Sequence, residues 1–249
     1  MSNNPVQTSI IADGAIPCAA ESNLKFLPLT CRIQPSQLTC LVGPHRSQLR
    51  TYLQMLAGIS KPQQGKVEIF GQLVSELDHL AWRKLRCKIG YLSGGAPLLS
   101  AHHGLMNVML PLLYHDNLSF REASDKARAL MTELDCDCEP TTYPSQMNSF
   151  QQSQFALARA LILDPCLLFL DVPFNDLGAK EREKMGGLLG RYKENRAVCM
   201  IGGFQYPHFL EQHANQIVFI SEHKIINFNS WKSFLQTEDH DVQELLNVL

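Results

Sequence analysis

The chain has 249 residues, of which 45% are hydrophobic and 18% are charged, and its formal net charge is −2. This length suits one large α/β domain or two small ones, and the composition is that of a globular protein with a substantial core. The net charge gives no reason to expect nucleic acid as a partner. No apolar run reaches the roughly 18 residues that span a bilayer, and residues 1–9 are polar without a signal-peptide core. We therefore expect a cytoplasmic protein that reaches a membrane only through a partner.

Eight cysteines are scattered along the chain, and only Cys136 and Cys138 lie close together in the sequence. In a cytosolic protein such cysteines are mostly buried thiols that act as small hydrophobic side chains. No second pair of Cys or His residues follows these two at zinc-binding spacing. We therefore expect no metal site.

Short apolar runs alternate with amphipathic stretches along the chain. They predict strands at residues 26–33, 38–42, 67–70, 89–92, 166–171 and 197–201, and a terminal hairpin from residues 217–220 and 224–226. A first helix is predicted to begin with its first turns at residues 52–57. Further helices are predicted at residues 81–86, 105–114, 121–134, 150–163 and 180–195. Ser119 is the predicted N-cap of the helix at residues 121–134. Residues 1–20 carry only weak patterning. This alternation implies a mainly parallel sheet with right-handed crossovers.

Gly43 opens the most informative segment, which lies between the buried strand at residues 38–42 and the helix after it. A functional phosphate-binding loop in this position reads G-x-x-x-x-G-K-[ST]. Gly43 matches the first glycine, whereas Gln48, Leu49 and Arg50 take the positions of the second glycine, the lysine and the serine or threonine. The framework of the loop is intact, but its phosphate-binding residues are missing.

Each replacement removes a contact to a nucleotide phosphate or to its magnesium ion. Glycine lets backbone N–H groups curl around a phosphate, partly at positive φ angles that Gln48 and Arg50 reach poorly. Leu49 supplies no charged donor, and Arg50 would repel the magnesium ion that a hydroxyl holds. Hydrogen bonds to charged groups are worth about 1.5–3 kcal/mol each, so losing several weakens affinity by roughly 10² to 10⁴-fold. The alternative is that Arg46 or Arg50 replaces the lysine, although neither restores the magnesium ligand.

Asp171 ends a second informative segment. Residues 166–171 form a near-continuous apolar run that ends in an acid, which is typical of a central parallel strand buried on both faces. In parallel α/β sheets, ligands bind beyond the carboxyl ends of the strands. Gly43 and Asp171 both fall at such strand ends, so we expect them at one site.

The order of these pieces resembles the ATP-binding cassette subunit of ABC transporters over nearly the whole chain. Framework segments in family order carry the match: residues 41–44 (LVGP), 55–58 (MLAG), 89–91 (IGY), 107–108 (NV), 143–146 (YPSQ), 156–161 (ALARAL) and 170–174 (LDVPF). The resemblance implies a P-loop NTPase-like α/β fold, a mainly parallel sheet flanked by helices with an inserted helical subdomain. It implies a single cassette-like domain over residues 1–249, with a RecA-like core at 25–93 and 164–230, a helical subdomain at 94–163 and a C-terminal tail at 231–249.

Within this family the chain is most similar to the ATPase subunits of MCE-type lipid transporters, such as the Mla phospholipid system. The basis is Leu-Pro-Leu at residues 110–112 and the tail, where residues 239–242 (DHDV) lead into residues 244–246 (ELL). In the Mla relatives a similar C-terminal segment packs on the neighbouring cassette. The resemblance implies the same for this tail.

The resemblance also assigns the remaining functional loops, and almost every assigned position is replaced. The signature loop, whose glycine backbone contacts the γ-phosphate across the dimer, corresponds to residues 147–151, where Phe150 is expected to obstruct the phosphate. The magnesium-sensing glutamine, the water-polarising glutamate, the D-loop aspartate and the switch histidine correspond to Gly94, Val172, Gly178 and Gly203. Of the catalytic set only Asp171 remains, and its expected role is to accept hydrogen bonds from backbone N–H groups. The degenerate nucleotide-site positions are Gly43, Arg46, Gln48, Leu49, Arg50, Thr51, Gly94, Asn148, Ser149, Phe150, Asp171, Val172, Gly178 and Gly203.

These replacements predict a pseudo-ATPase, a structural or regulatory subunit of a membrane transport complex, with lipid transport implied by the Mla resemblance. ABC cassettes pair head to tail, and each site combines one subunit's P-loop with the other's signature. Both are degraded here, so pairing with an active cassette would complete neither site. No cofactor is expected. Mg-ATP would bind only under the first alternative, an ATPase subunit with compensating residues; the second alternative is a soluble binding protein with a repurposed pocket.

The expected partners are an integral-membrane permease, a sister cassette, or both, in a homodimer or heterodimer on the inner face of the cell membrane. Family members receive the coupling helix of the permease near residues 94–107. Four residues there could form an apolar docking groove: Pro97, Leu98, Leu99 and Leu105. The alternative is that these four side chains belong to the core of the helical subdomain.

Overall fold

The computed structural model describes residues 9–18, 24–95, 97–115, 118–174, 176–196, 199–203 and 206–247. Within these residues the chain forms ten strands: β1 (Ile10–Pro17), β2 (Leu29–Ile33), β3 (Leu38–Val42), β4 (Pro62–Ile69), β5 (Gln72–Leu73), β6 (Ile89–Leu92), β7 (Leu167–Asp171), β8 (Cys199–Gly203), β9 (Gln216–Ile220) and β10 (Ile225–Phe228). The predicted start of β8 at Ala197 lies outside the described residues.

The same residues form nine α-helices, which alternate with the strands for most of the chain. They are α1 (Arg46–Leu56), α2 (His79–Arg86), α3 (Gly104–His115), α4 (Phe120–Glu133), α5 (Ser149–Leu161), α6 (Ala179–Arg196), α7 (Pro207–His213), α8 (Trp231–Leu235) and α9 (His240–Leu246). No helix in the described ranges is long and apolar enough to cross a membrane.

Six strands form the central sheet in the order β10–β9–β3–β8–β7–β6. All neighbouring pairs from β9 to β6 are parallel, and β10 pairs antiparallel with β9. Every residue of β3 and β7 is buried, as expected of strands that are covered on both faces. The predicted fold class and the terminal hairpin are confirmed.

A second sheet, antiparallel and in the order β2–β1–β4–β5, was not predicted. Its strand β1 falls in the stretch that carried only weak patterning. Ile10, Ala12 and Ala15 are buried, but the register of β1 against β2 shifts between Ala12 and Ala15. This irregularity breaks the strict alternation by which a half-buried strand is recognised. Pairing with β1 also draws β4 back to Pro62, five residues before its predicted start.

Helix α1 begins at Arg46, six residues earlier than predicted. The motif glycine that would hold this region in a loop is replaced by Gln48, and glutamine favours helix over glycine by roughly 0.5 kcal/mol. The helix therefore extends back through positions 46–50. The loop between β3 and α1 shrinks to residues 43–45.

Helices α3, α4 and α5 lie between β6 and β7 in the sequence, and they pack on one another. The predicted N-cap of α4 is confirmed, since the Ser119 hydroxyl accepts from the Glu122 N–H and the Glu122 carboxylate accepts from the Ser119 N–H. The three helices bury one apolar cluster together with the neighbouring face of the sheet.

The C-terminal helices α8 and α9 pack against their own chain. Phe234 and Val242 are fully buried in the same apolar cluster. Lys224 Nζ lies 2.9 Å from an Asp239 carboxylate oxygen and 3.3 Å from an Asp241 oxygen, which ties the start of α9 to the sheet. Leu235 of the same tail is 45% exposed, so its own chain covers the tail only in part. Packing of the tail on a neighbouring cassette stays a prediction.

The first prediction separates the packing role of Gly43 from any role in phosphate binding. A Cβ atom at Gly43 would collide with the carbonyl oxygen of Ile220 on β9. We expect Gly43→Ala to lower the free energy of unfolding by about 2 kcal/mol or more, because neither backbone can move without disturbing the sheet. Urea unfolding followed by circular dichroism measures this change.

Gly187→Ala is the matched control. Gly187 lies within α6, and the nearest atom to a Cβ there is Arg191 Nη1, at 3.7 Å. Alanine favours helix over glycine by about 1 kcal/mol, so the same substitution should stabilise the protein at this position. Equal effects of the two variants would contradict the packing argument for Gly43.

Candidate functional site

The candidate site lies where β3, β7 and β8 end side by side. Parallel pairing sets Leu41 of β3 and Asp171 of β7 on either side of Gly203 of β8. Gly43 follows β3 directly. The tertiary structure thus brings the degenerate phosphate loop, the strand-ending acid and the switch-histidine position together, as the sequence predicted.

The phosphate loop has lost its cradle shape. With α1 starting at Arg46, only residues 43–45 remain as a loop, and the Leu49 N–H already donates to the His45 carbonyl oxygen at 3.1 Å. The remaining backbone donors are those of an ordinary helix N-terminus at residues 46–48. A helix N-terminus attracts anions, but it does not form the enclosing ring of amides that a glycine-rich loop provides.

Gln48, at the position of the second glycine, is buried and serves the structure. Its Nε2 donates to the Lys25 carbonyl oxygen at 2.7 Å and lies 3.5 Å from the Ser221 carbonyl oxygen. Its Oε1 is buried without a hydrogen-bond partner among the described residues. Gln48 therefore fastens the segment before β2 to α1 instead of leaving space for a phosphate.

Leu49, at the lysine position, packs into the sheet edge. It is 2% exposed, and its Cδ2 lies 3.4 Å from the place of a Cβ at Gly43. Its Cβ lies 3.8 Å from the place of a Cβ at Gly203, where the family has a histidine. Leu49 thus occupies space beside the switch position, and the glycine at 203 provides that space. The Thr51 hydroxyl donates to the Ser47 carbonyl oxygen of the same helix at 2.8 Å.

Arg50, at the serine or threonine position, forms an ion pair with Asp171. Arg50 Nε donates to Asp171 Oδ2 at 2.7 Å, with the Asp171 side chain 4% exposed and the Arg50 side chain 49% exposed. Backbone N–H groups were expected to satisfy Asp171, but the partner found among the described residues is a guanidinium. In the described residues the Arg50 Nε is directed at Asp171 and not at a phosphate position. The alternative in which Arg50 acts as the phosphate lysine stays a prediction.

Gly94, at the position of the magnesium-sensing glutamine, adjoins this ion pair. A Cβ atom there would lie 2.9 Å from Arg50 Nη2 and 3.1 Å from the Asp171 carbonyl oxygen. A glutamine side chain would collide with the arginine, so the two replacements fit each other. Tyr91 lies nearby: burial and the Asp171 charge raise the pKa of its phenol, while Arg50 opposes this rise.

The Arg50 guanidinium lies between the two positions that hold magnesium in a working P-loop protein, namely the loop hydroxyl and the strand-ending aspartate. Arg50 is itself the residue at the position of the loop hydroxyl, and its guanidinium neutralises the aspartate at the other position. A divalent cation at Asp171 would face a fixed positive charge in contact range, with no loop hydroxyl as its second ligand. The residues present do not fit a magnesium nucleotide.

The start of α5, which corresponds to the signature loop, is held by hydrogen bonds that the sequence analysis did not predict. Asn148 Oδ1 accepts from the Gln151 N–H at 2.9 Å, and Gln151 Oε1 accepts from the Asn148 N–H at 3.0 Å, so the N-terminus of α5 forms its own capping box. Phe150 does not face a phosphate. It is 4% exposed and belongs to the apolar cluster of the helical region. The prediction that Phe150 obstructs the phosphate is therefore wrong, because its ring is buried. Ser149 is the first residue of α5.

Val172 and Gly178 replace the water-polarising glutamate and the D-loop aspartate. Val172 has φ +51°, a left-handed backbone conformation that a β-branched residue adopts only under strain. Its N–H donates to the Gly203 carbonyl oxygen at 3.2 Å. Gly178 is exposed, and its N–H donates to Glu181 Oε2 at 2.8 Å at the start of α6. Neither residue can act as a base.

Among the described residues, two cavities border the site. The smaller, of about 50 Å³, lies between β7 and α5 and is lined by Leu92, Ser93, Gly95, Ser149, Gln152, Ser153, Val172, Pro173 and Asp176. It has room for a few water molecules and not for a nucleotide. The larger, of about 1000 Å³, is an open groove between the contracted loop and α9, lined among others by His45, Arg46, Glu222, His240 and Glu244. His45 Nε2 and Glu222 Oε1 face each other across 3.9 Å.

The four predicted docking residues separate into two groups. Leu105 is 5% exposed and Leu98 packs partly against the same apolar cluster, so they belong to the core. Pro97 and Leu99 are exposed, Leu99 by 50%. The second group therefore lies on the surface, as a docking role requires.

Side chains of α3 and α5 hold the loop that carries Pro97 and Leu99 through hydrogen bonds to its backbone. The buried Asn107 accepts from the Leu99 N–H at 2.7 Å and donates to the Leu99 and His102 carbonyl oxygens at 3.1 and 2.9 Å. Arg159 Nη2 donates to the Pro97 carbonyl oxygen at 2.6 Å, and burial lowers the pKa of Arg159. A fixed loop presents its exposed side chains at little ordering cost.

Sequence reasoning missed three features of the site: the Arg50–Asp171 ion pair, the capping box of α5 and the involvement of Tyr91. The first carried a detectable signal, since a long cation at position 50 coincides with a missing side chain at position 94. The second carried one too, since Asn148 and Gln151 have capping-box spacing. Tyr91 lies in an ordinary strand sequence and carried none.

The second prediction concerns the two members of the ion pair. Arg50→Gln leaves the buried Asp171 carboxylate uncompensated, whereas Asp171→Asn leaves a half-exposed guanidinium that water can solvate. We expect Arg50→Gln to lower the free energy of unfolding by about 1–2 kcal/mol, after allowing for solvent screening, and Asp171→Asn by less. Urea unfolding of both single variants and the double variant gives the coupling.

Magnesium provides a second readout for the same pair. If Arg50 takes the place of the cation, Arg50→Ser should acquire a magnesium-dependent rise in its thermal unfolding midpoint that the unaltered chain lacks. Asp171→Asn combined with Arg50→Ser is the control, because it removes the acidic ligand as well. A similar response of all three proteins to magnesium would contradict the assignment.

Comparison with known proteins identifies the family. The sequence profile of the family described as ABC transporter matches residues 26–175. The ABC transporter ATP-binding protein YbbA of Escherichia coli K12 is 32% identical over 170 residues, which cover 68% of this chain and 74% of that protein. The lipoprotein-releasing system ATP-binding protein LolD of Coxiella burnetii is 27% identical over 157 residues, 63% of this chain and 67% of LolD.

Longer relatives match only in part. The macrolide export ATP-binding/permease protein MacB of Syntrophobacter fumaroxidans is 31% identical over 176 residues, but the match covers 70% of this chain and 24% of MacB. This chain therefore spans about a quarter of that relative.

Solved structures agree on the fold. CbiO1 of Clostridium perfringens, part of the ABC transporter complex CbiONQ, superposes with a TM-score of 0.80 at 16% identity over 97% of this chain and 95% of its own. The ATP-binding cassette MJ0796, in a dimer bound to ADP and Pi, gives a TM-score of 0.80 at 21% identity over 88% of this chain and 98% of its own. The chain has the ATP-binding cassette fold and belongs to the ABC transporter family.

Proposed function

We propose that this chain is a pseudo-ATPase, a cassette subunit that serves a membrane transport complex without using nucleotide energy. One observation carries the proposal: the Arg50 guanidinium contacts Asp171 at 2.7 Å, between the groups that would hold magnesium. Phosphoryl transfer depends on charge neutralisation and on an oriented water. The ion pair removes the cation site, and Val172 provides no base for the water.

The state of α5 extends this proposal to dimers. In a head-to-tail pair of cassettes, the signature of one subunit completes the site of the other. Here Ser149 and Phe150 replace the two signature glycines, and the Asn148 and Gln151 N–H groups each donate to the other residue's side chain. This chain therefore offers an active sister cassette no working signature. Its role in a complex is structural or regulatory, and other subunits supply the energy.

The partner we propose is an integral-membrane permease, with or without a sister cassette, which keeps this chain at the inner face of the membrane. The loop held by Asn107 and Arg159 presents Pro97 and Leu99 to that permease. The likeness to LolD, a lipoprotein-releasing system protein, supports a lipid-linked cargo. The sequence likeness to MCE-type cassettes points to the same class of cargo.

A second candidate function rests on the groove between the contracted loop and α9. Its volume of about 1000 Å³ is that of a small-molecule site. Histidine, arginine and carboxylate side chains line it, and the partly buried Leu245 provides apolar surface. Under this candidate the chain is a soluble binding protein whose pocket holds a different ligand.

The third prediction tests nucleotide binding. Isothermal titration with Mg-ATP should give a dissociation constant of about 1 mM or weaker, because several hydrogen bonds to charged phosphate oxygens are missing. Phosphate release from the pure protein should not exceed that of Asp171→Asn. Tight binding, or turnover that this substitution abolishes, would instead support an ATPase with compensating residues.

A restored variant tests the cause of the weak binding. Gln48→Gly, Leu49→Lys and Arg50→Ser together return the loop to the family pattern, and we expect Mg-ATP affinity to rise by roughly 10 to 100-fold. Turnover should stay absent, because Val172 and the capped α5 are unchanged. Arg50→Ser alone is the control, and thermal unfolding checks that each variant folds. No gain in the folded triple variant would contradict the explanation.

The fourth prediction tests permease docking. A tagged chain should recover an integral-membrane partner from solubilised membranes, and Leu99→Glu should reduce the recovery at least about tenfold by placing a charge at an apolar contact. Leu235→Glu is the matched control, since Leu235 on α8 is 45% exposed and Leu99 is 50% exposed. Recovery of no membrane protein by the unaltered chain would favour the soluble binding protein.

A further inference from the structure

Helix α2 and the residues just after it carry a concentrated positive charge at the protein surface. Arg83, Lys84, Arg86 and Lys88 are all exposed, and residues 79–88 contain no acid. The whole chain has a net charge of −2, so these four cations stand out against an otherwise acidic molecule. Asp78, which caps α2, and the exposed Glu76 lie at the N-terminal edge of this face.

Two large apolar side chains lie among these cations. Leu80, on α2, and Tyr114, near the end of α3, are each 67% exposed. The Arg83 guanidinium lies 5.4 Å from the centre of the Tyr114 ring and donates to the Tyr114 carbonyl oxygen at 3.0 Å. We call Leu80, Arg83, Lys84, Arg86, Lys88 and Tyr114 the α2 basic face.

The face also has a shallow groove. It measures about 470 Å³ and is lined among others by Phe70, Leu80, Lys84 and Lys88. The Lys88 ammonium lies 5.8 Å from the centre of the Phe70 ring. Ammonium groups can pair with the phosphate of a lipid headgroup, and the apolar surface beside them can contact the start of the lipid acyl chains.

We propose that the α2 basic face binds the anionic surface of a lipid bilayer. Clustered Lys and Arg attract anionic lipids, and exposed leucine and tyrosine side chains enter the boundary between headgroups and acyl chains. An RNA or an acidic protein segment would satisfy the cations. The bilayer also provides an apolar phase for the highly exposed Leu80 and Tyr114, so it is the occupant that we favour. This contact goes beyond the proposed function, in which a permease provides the membrane attachment.

The α2 basic face and the proposed permease loop are separate surfaces. Helix α3 begins at Gly104, next to the loop that carries Leu99, and Tyr114 lies near its other end. Ten residues of α-helix separate Gly104 from Tyr114, which is about 15 Å. The two contacts can therefore be tested and can fail independently.

The fifth prediction uses the full chain with protein-free vesicles. The chain should sediment with vesicles of equal parts phosphatidylglycerol and phosphatidylcholine, but not with vesicles of phosphatidylcholine alone, and added salt should release it. In a Trp231→Phe background, Trp82 fluorescence should shift on binding, since Trp82 lies on α2 under the Arg86 guanidinium. Equal binding to both kinds of vesicle, or binding to neither, would overturn the proposal.

Matched charge variants locate the contact. Lys84→Gln with Lys88→Gln should weaken binding to the anionic vesicles by about 25-fold, at about fivefold for each cation near the surface. Lys126→Gln with Lys232→Gln removes the same charge from exposed sites elsewhere and should have little effect. Leu80→Ser should weaken binding with the net charge unchanged. An equal loss in the control pair would overturn the proposal.

Two further outcomes separate the possible ligands. Inorganic phosphate at millimolar concentration should not release the chain from anionic vesicles beyond the effect of a chloride salt of equal ionic strength. Specific release would mean that the groove recognises a single phosphate and not a bilayer. Retention on an RNA or polyglutamate column without vesicle binding would assign the face to a different class of partner and would also overturn the proposal.

Discussion

The ion pair between Arg50 and Asp171 is the interaction on which the chemistry of this site depends. A buried carboxylate at the end of a central strand needs a cation, and family members supply a metal together with a nucleotide. Here the cation is covalently part of α1 and is always present. The protein therefore neutralises Asp171 without a ligand.

The replacements around this pair are complementary in volume. Arg50 is large where Gly94 is small, and Leu49 is large where Gly203 is small. In each case the helix side of the pocket has grown while the facing position has lost its side chain. Changes of this kind keep the interior packed, which explains how the fold tolerates the loss of the binding residues. The capping box of α5 satisfies the Asn148 and Gln151 N–H groups within the chain, without a ligand.

Several sequence-based expectations were wrong for physical reasons. Phe150 was expected beside a phosphate, but burying its ring in the helical region is more favourable than leaving it at a polar surface. Helix α1 was expected to start at residue 52. Because Gln48 replaces the second motif glycine, the residues from Arg46 onward are helical instead. The strand β1 escaped notice because a register shift hides its alternation.

The sequence by itself determined the fold, since buried runs such as β7 and the family spacing of the framework segments are local patterns that survive changes at the site. It also determined which binding groups are missing, since those depend on side-chain type alone. Only the tertiary structure decided what fills their places. Arg50 and Asp171 are 121 positions apart, and the contact between them depends on how α1 lies against β7, which no local pattern encodes.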